Sequence, residues 1–109
     1  MAKSDEQVIE EFDEAVNMSR KELEEWLETD ESREVGQKDG GDESKGHESG
    51  RRLVEILEKD KSDYTDDDIE HMRRVVGYVH RHQAQEPKGD VEDSNWRYSL
   101  MNWGHDPLK

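Results

Sequence analysis

The stretch Thr65-Asp66-Asp67-Asp68, followed by Ile69, Met72, Val75, Val76 and Val79, narrows the possible folds of this chain more than any other. Thr65 as N-cap and Asp68 three residues on form a capping box, in which side chains and orphan amides satisfy one another reciprocally. Tyr64 and Ile69 stand where a hydrophobic staple needs them, and three aspartates favour the positive helix end. At 100° per residue the five apolar side chains fall within about 120° of arc. The run is therefore a helix with one face for a core.

The same grammar recurs along the chain. Ser4 and Gln7 make a capping box ahead of Val8, Ile9, Phe12, Ala15 and Val16, a first helix ending near Asn17. Ser19 and Glu22, with Met18 and Leu23 as staple, open a second helix that buries Leu23, Trp26 and Leu27 and runs to about Glu28. Leu53, Val54, Ile56 and Leu57 mark a third, opened near Ser49, whose hydroxyl would cap it, and closed by Lys59 or Asp60. After Pro87-Lys88-Gly89 ends the long fourth helix, Asp93 or Ser94 caps a short fifth with Trp96, Leu100 and Trp103, stopped by Gly104 and Pro107. Trp96, Tyr98 and Trp103 are large enough to close the bottom of a small core.

Between the second and third helices, Thr29 to Ser49 is polar, holds Gly36, Gly40, Gly41 and Gly46, and offers only Val35 as an apolar residue. It reads as a long loop. The expected fold is all-α, a small helical domain of four main helices plus a short C-terminal one, with a helix-turn-helix-like pair in the second half. Residues 1–109 form a single domain: an N-terminal helical hairpin over 1–28, a polar Gly-rich loop over 29–49 and a C-terminal helical unit over 50–109. Its expected core is Phe12, Trp26, Leu27, Leu53, Leu57, Met72, Val76, Val79 and Trp103.

Composition alone would argue for disorder, since Leu, Ile, Val and Phe number 18 of 109 and the net charge is -14. The clustering of those apolar residues behind caps argues the other way. Thirty acidic residues against sixteen basic ones repel each other at low ionic strength and suit a salt-rich cytoplasm, where the Debye length falls to about 3 Å at 1 M. The chain has no cysteine, which excludes disulfides and thiolate metal sites. It shows no signal peptide and no apolar run near 18 residues, so a cytoplasmic protein without a membrane span is expected.

Charge is unevenly spread. Residues 1–70 carry 25 acids and 10 bases, whereas residues 71–109 carry 5 acids and 6 bases. The fourth helix turns Glu70, Arg73, Arg74, Gly77 and Arg81 away from its apolar stripe, with Tyr78, His71 and His82 along one border and His80 along the other. Arg73, Arg74 and Arg81, supported by Arg51, Arg52 and Arg97, are candidate phosphate contacts, and Gly77 would let a nucleic-acid backbone approach closely. Ordinary major-groove docking would present Asp66, Asp67 and Asp68 to the phosphates, so contact would fall on the carboxy half of this helix. The plainer reading pairs Glu70 with Arg73 and Arg74 on a solvated face.

Five histidines raise a metal centre, but His80 and His82 lie about 200° apart on a helix and no H-E-x-x-H pattern is present. His47 or His105 with Asp106 would have to complete a site across the fold; no metal and no cofactor are expected. Gly46-His47-Glu48-Ser49-Gly50-Arg51-Arg52 has glycines and arginines that can cradle a phosphate, but lacks a P-loop ending and reads first as a flexible loop capped by Ser49. No nucleophile elbow is present, and no enzyme is expected. The expected function is that of a small non-enzymatic DNA- or other nucleic-acid-binding protein. The alternative is an acidic protein-interaction or assembly module of a halophilic cytoplasm, with homodimerisation through the fourth helix's stripe as an open possibility.

Gly46 to Gly50, Asp66 to His82, and Trp96-Arg97-Tyr98-Ser99-Leu100-Met101-Asn102-Trp103-Gly104-His105-Asp106-Pro107 together resemble a microbial domain of unknown function, number 3140. The resemblance covers nearly the whole chain and rests most on the long C-terminal motif. It implies a self-standing domain and carries no established activity, although similar sequences are occasionally labelled DNA-binding.

Overall fold

A computed structural model describes residues 4–35 and 45–109 and shows an all-helical domain, with no strand among the described residues. The helices are α1 (Asp5–Ala15), α2 (Arg20–Leu27), α3 (Asp30–Glu34), α4 (Lys45–Leu57), α5 (Asp66–Gln83) and α6 (Asn95–Asn102), with a single 3₁₀ turn over Lys61–Asp63. All three capping boxes form: Ser4 with Gln7, Ser19 with Glu22, and Thr65 with Asp68. At α6 the cap is Ser94, whose hydroxyl accepts from the Arg97 amide at 3.1 Å. Gly104 ends α6 at φ +82, with its amide bonded to the Met101 carbonyl and that of His105 to Leu100. This is a Schellman turn, and its left-handed residue is what glycine permits.

The α5 stripe is buried as its spacing predicts. Met72, Val75, Val76 and Val79 are all within the core, and α5 packs chiefly along α1, meeting Val8, Phe12 and Ala15. The stripe is thus buried inside the chain. Ion pairs border the contact, Arg73 to Asp5 at 3.3 Å and Lys61 to Asp13 at 2.9 Å. On the other side α2 lies on α4, and the short α6 touches α2, α3, α4 and α5. One core cluster draws on both halves of the sequence, including Leu23, Leu27, Leu53, Ile56 and Leu100. Of the expected core residues, Trp26, Leu57 and Trp103 sit at its margin, partly buried.

The expected loop over 29–49 is corrected at both ends. Thr29 caps α3 through the Ser32 amide, and Ser32 is fully buried behind it. The expected opening of a helix near Ser49 is corrected too, because α4 is already helical from Lys45 and Ser49 lies inside it. Packing overrides local propensity here. A Cβ on Gly50 would stand 2.6 Å from Leu27 Cδ2 and 2.8 Å from the Asn102 carbonyl oxygen, and one on Gly46 would stand 3.2 Å from Trp103 Nε1. The two glycines, one turn apart, let α4 press against α2 and α6. Gly36, Gly40 and Gly41 of the expected loop lie outside the described residues.

Candidate nucleic-acid interface

The polar contacts between helices α4 and α5 include Ser49 Oγ with His71 Nε2 at 3.0 Å and Arg52 Nη2 with Asp68 Oδ1 at 3.1 Å. Asp68 is buried and overcommitted: it also accepts from Lys59 Nζ at 2.7 Å and from the Thr65 amide at 3.0 Å. Burial raises the Asp68 pKa, but the Lys59 ammonium and the Thr65 cap outweigh it and hold the carboxyl at about 2. The junction is therefore a fixed, charged hinge between the helices.

Beside this junction opens a cleft of about 590 Å³. Lys45, Arg52 and Arg74 bring cations to its wall, Glu48, Asp67 and Glu70 bring carboxylates, and Ser49, His71 and Trp103 complete it. Burial lowers the His71 pKa, opposed in part by its hydrogen bonding to Ser49 and reinforced by the charges of Arg52 and Arg74. His71 is held neutral at neutral pH as a result. A hydroxyl and an imidazole at this distance form a nucleophile-base geometry. Ser49, however, sits within α4, whose following amides bond along the helix, so the contact orients His71 rather than building an oxyanion site.

A column of aromatic rings runs from this cleft along α5 and α6. Trp103 stacks on Tyr78 at 4.3 Å and faces His71 at 6.4 Å, with planes 15° and 14° apart. Tyr78 stacks on His82 at 5.1 Å, and His82 faces Trp96 at 6.2 Å. Trp96 Nε1 donates to the His82 carbonyl at 2.7 Å, fixing the C-terminal end of α5 to α6. Burial lowers the His82 pKa, and its Nε2 is buried without a hydrogen-bond partner.

The sequence-derived basic residues separate into groups. Arg52 and Arg74 reach the cleft; Arg74 also pairs with Glu70 at 3.3 Å, as the i to i+4 spacing predicts. Arg73 points instead to Asp5 of α1. Arg81 is exposed farther along α5, and its guanidinium is the group nearest to Gly77, 3.4 Å from where a Cβ would stand. Arg51 is exposed on α4. Arg97 is structural: it clasps Asp106 through two nitrogens at 3.2 Å and donates to the Glu92 carbonyl at 2.8 Å. Lys45, His71 and Trp103 were absent from that set. His71 falls on the border of the basic face, whereas the signal for Lys45 and Trp103 lies in the 45–50 run on α4 and the C-terminal motif and emerges when the three helices meet.

Of the remaining histidines, His80 is exposed on α5, whereas His47 and His105 are hydrogen-bonded within the fold. His47 Nε2 donates to the Leu27 carbonyl at 2.8 Å, and His105 Nδ1 donates to the Ala15 carbonyl at 2.7 Å. His105 Nε2 then accepts from the Gln83 amide at 3.0 Å. Among the described residues, no three His, Asp or Glu side chains come together in a manner that could hold a metal ion. No helix among them is long and apolar enough to cross a membrane.

No curated protein and no solved structure matches the chain. A family model described as Protein of unknown function (DUF3140) matches residues 11–101, from the middle of α1 to the end of α6. With the α4 glycines, the α5 stripe and most of α6 inside that span, the chain belongs to this family of domains of unknown function, number 3140.

Proposed function

We propose that this protein binds nucleic acid without catalysing a reaction, and that the α4–α5 cleft is where it does so. The observation that supports this most is the convergence of Lys45, Arg52 and Arg74 on a cleft that also exposes Trp103 and His71. Cations for phosphate beside aromatic rings for bases are the two components of nucleic-acid binding surfaces. Arg81 extends the cationic side two helical turns beyond Arg74, about 10.5 Å along α5. Arg73 and Arg97 leave the proposed set, since neither lines the cleft.

The helix-turn-helix-like reading takes a modified form. Asp66 and Asp67 are exposed at the start of α5, so a helix inserted by that end would meet phosphate with like charge. Approach from the α4 side avoids this. We further propose a salt-rich cytoplasm as the setting: with a net charge of -14, helicity is expected to rise with salt.

A mobility-shift titration across salt, on duplex and single-stranded DNA and RNA, tests the function. Replacing Arg52 and Arg74 together by Gln is expected to reduce the salt slope on single strands by about 1.4, from roughly 0.7 per phosphate contact. Arg73→Gln is expected to leave it unchanged. The exposed carboxylates Glu6, Glu10 and Glu14 of α1 favour a second reading, an acidic surface for a basic protein partner. No binding to any nucleic acid by a folded sample would leave that reading in place of the first.

A further inference from the structure

We propose that His82 is a proton-operated latch between the end of α5 and the start of α6: neutral, its ring holds the two together, and protonated, it lets this seam open and bares Trp96. The latch acts whatever the cleft binds. The His82 ring lies in the aromatic column, 18° from parallel to Tyr78 of α5 at 5.1 Å and 19° from parallel to Trp96 of α6 at 6.2 Å. Its Nε2 is buried and meets no hydrogen-bond partner among the described residues.

A neutral imidazole tolerates this place, because it can carry its proton on Nδ1 and leave Nε2 as a bare lone pair. An imidazolium bears an N–H on both nitrogens, so protonation sets a charged donor at Nε2 with nothing to accept it. Swinging the ring into solvent satisfies that donor and gives up both stacks. The surroundings do not offset the cost. From α5 Tyr78 faces the ring, with the Arg81 charge acting on its phenol, and α6 contributes the Trp96 ring and backbone. Among the described residues no carboxylate acts on His82. Burial lowers its pKa, and the Trp96 backbone opposes this only in part.

The other imidazole of the column is set differently. His71 Nε2 meets the Ser49 hydroxyl, which can donate to a neutral ring or accept from a charged one, so His71 can be protonated in place. Arg52 of α4 and Asp68 and Arg74 of α5 also act on it, with Trp103 facing it from α6. The opening at His82 is local, because Asn102 ties the far end of α6 to Trp26 and Ser32. What parts is the last turn of α5 from Trp96, whose indole N–H donates to the His82 carbonyl at 2.7 Å. That N–H reports the latch directly.

The test is nuclear magnetic resonance of the full chain in moderate salt from about pH 8 to about pH 5, a range in which Asp68 stays ionised. Labelled histidine carbons give the His82 midpoint, expected below 6.5, and hydrogen exchange of the Trp96 indole gives the opening. Because the open seam takes up the proton more readily, closure is complete above 6.5 and weakens as pH falls toward the folded midpoint. The indole's protection factor is expected to fall by up to about tenfold for each pH unit in that window. It should also stay below that of the buried Val76 amide, whose exchange needs wider unfolding. His82→Phe keeps a ring in the column without a titrating atom and is expected to abolish the fall, whereas His71→Gln should retain it. A fall that persists in folded His82→Phe would overturn the latch. So would Trp96 protection equal to that of Val76 at every pH, the mark of global unfolding. Should His82→Phe fail to fold, the parent chain decides, since a His82 midpoint at or above 6.5 also overturns it.

Discussion

The two sides of this small core are closed by different means. Along α1 and α5 the contact is apolar, Val8, Phe12 and Ala15 against Met72, Val75, Val76 and Val79, with ion pairs only at its border. Around α6 it is polar and close. Asn102 is fully buried; its Oδ1 accepts from Trp26 Nε1 at 2.8 Å and from the Ser32 hydroxyl, and its Nδ2 donates to the Ser32 carbonyl at 3.0 Å. Gly46 and Gly50 bring α4 up to the same residue. A chain with few large apolar residues cannot build both sides from hydrophobic stripes. It completes the second with backbone proximity and a hydrogen-bond network, which is stabilising only when every member is satisfied.

The largest effect should come from the centre of the polar side. Asn102→Ala would leave the Trp26 indole N–H, the Ser32 hydroxyl and the Ser32 carbonyl unpaired in the interior. An unsatisfied buried group costs roughly 1–3 kcal/mol, so a loss on the order of 4 kcal/mol is expected in urea unfolding at fixed salt. A loss below about 1 kcal/mol would show that water replaces the side chain and that this side is less tightly closed than the apolar one.

Gly50→Ala follows. Its Cβ would fall 2.8 Å from a backbone oxygen as well as 2.6 Å from Leu27, and the backbone cannot yield as a side chain does. An overpacking cost of about 2 kcal/mol is expected, against the gain that alanine normally brings inside a helix. Leu27→Ala in the same chain should relieve only the contact with Leu27, leaving the carbonyl contact to be read separately.

The hinge between the two sides is sensitive to acid. The folded Asp68 carboxyl, at about 2, lies below its ordinary 3.8, so its stabilisation is complete above that value and is lost as pH falls toward 2. A shift of this size corresponds to about 2 kcal/mol. Asp68→Asn is expected to flatten that part of the stability profile between about pH 4 and pH 2. His71 works in the same direction at higher pH: its lowered pKa favours the neutral ring, so stability declines as pH drops below 6.5.

The apolar side could be read from sequence because each of its determinants is local. Thr65 with Asp68 fixes where α5 begins, and the spacing of Met72, Val75, Val76 and Val79 fixes what it buries. The polar side depends on residues separated by 70 or more positions, such as Ser32 with Asn102 and Trp26 with Asn102. Nothing in the local pattern around Ser32 distinguishes a buried serine from a loop serine, and the glycines of 46–50 read as flexibility when they serve close approach. The candidate site straddles both regimes. Arg74 was visible from its helix face, whereas Lys45 and Trp103 join it only through the contacts that sequence separation hides.

The smallest effect concerns the other glycine, and it has the opposite sign. A Cβ on Gly77 would meet only the Arg81 guanidinium, at 3.4 Å, the far end of a flexible side chain that can move aside. No packing holds glycine there, and its φ is that of the helix. Gly77→Ala is therefore expected to stabilise the fold by roughly 0.5–1 kcal/mol, the ordinary difference between the two residues in a helix interior. Set against Gly50→Ala, the same substitution separates a glycine required by packing from one that is not. If Gly77 instead serves the close approach of a nucleic-acid backbone, alanine will raise stability while weakening binding. Equal binding by the more stable variant would confine the contact to the cleft at Arg52 and Arg74.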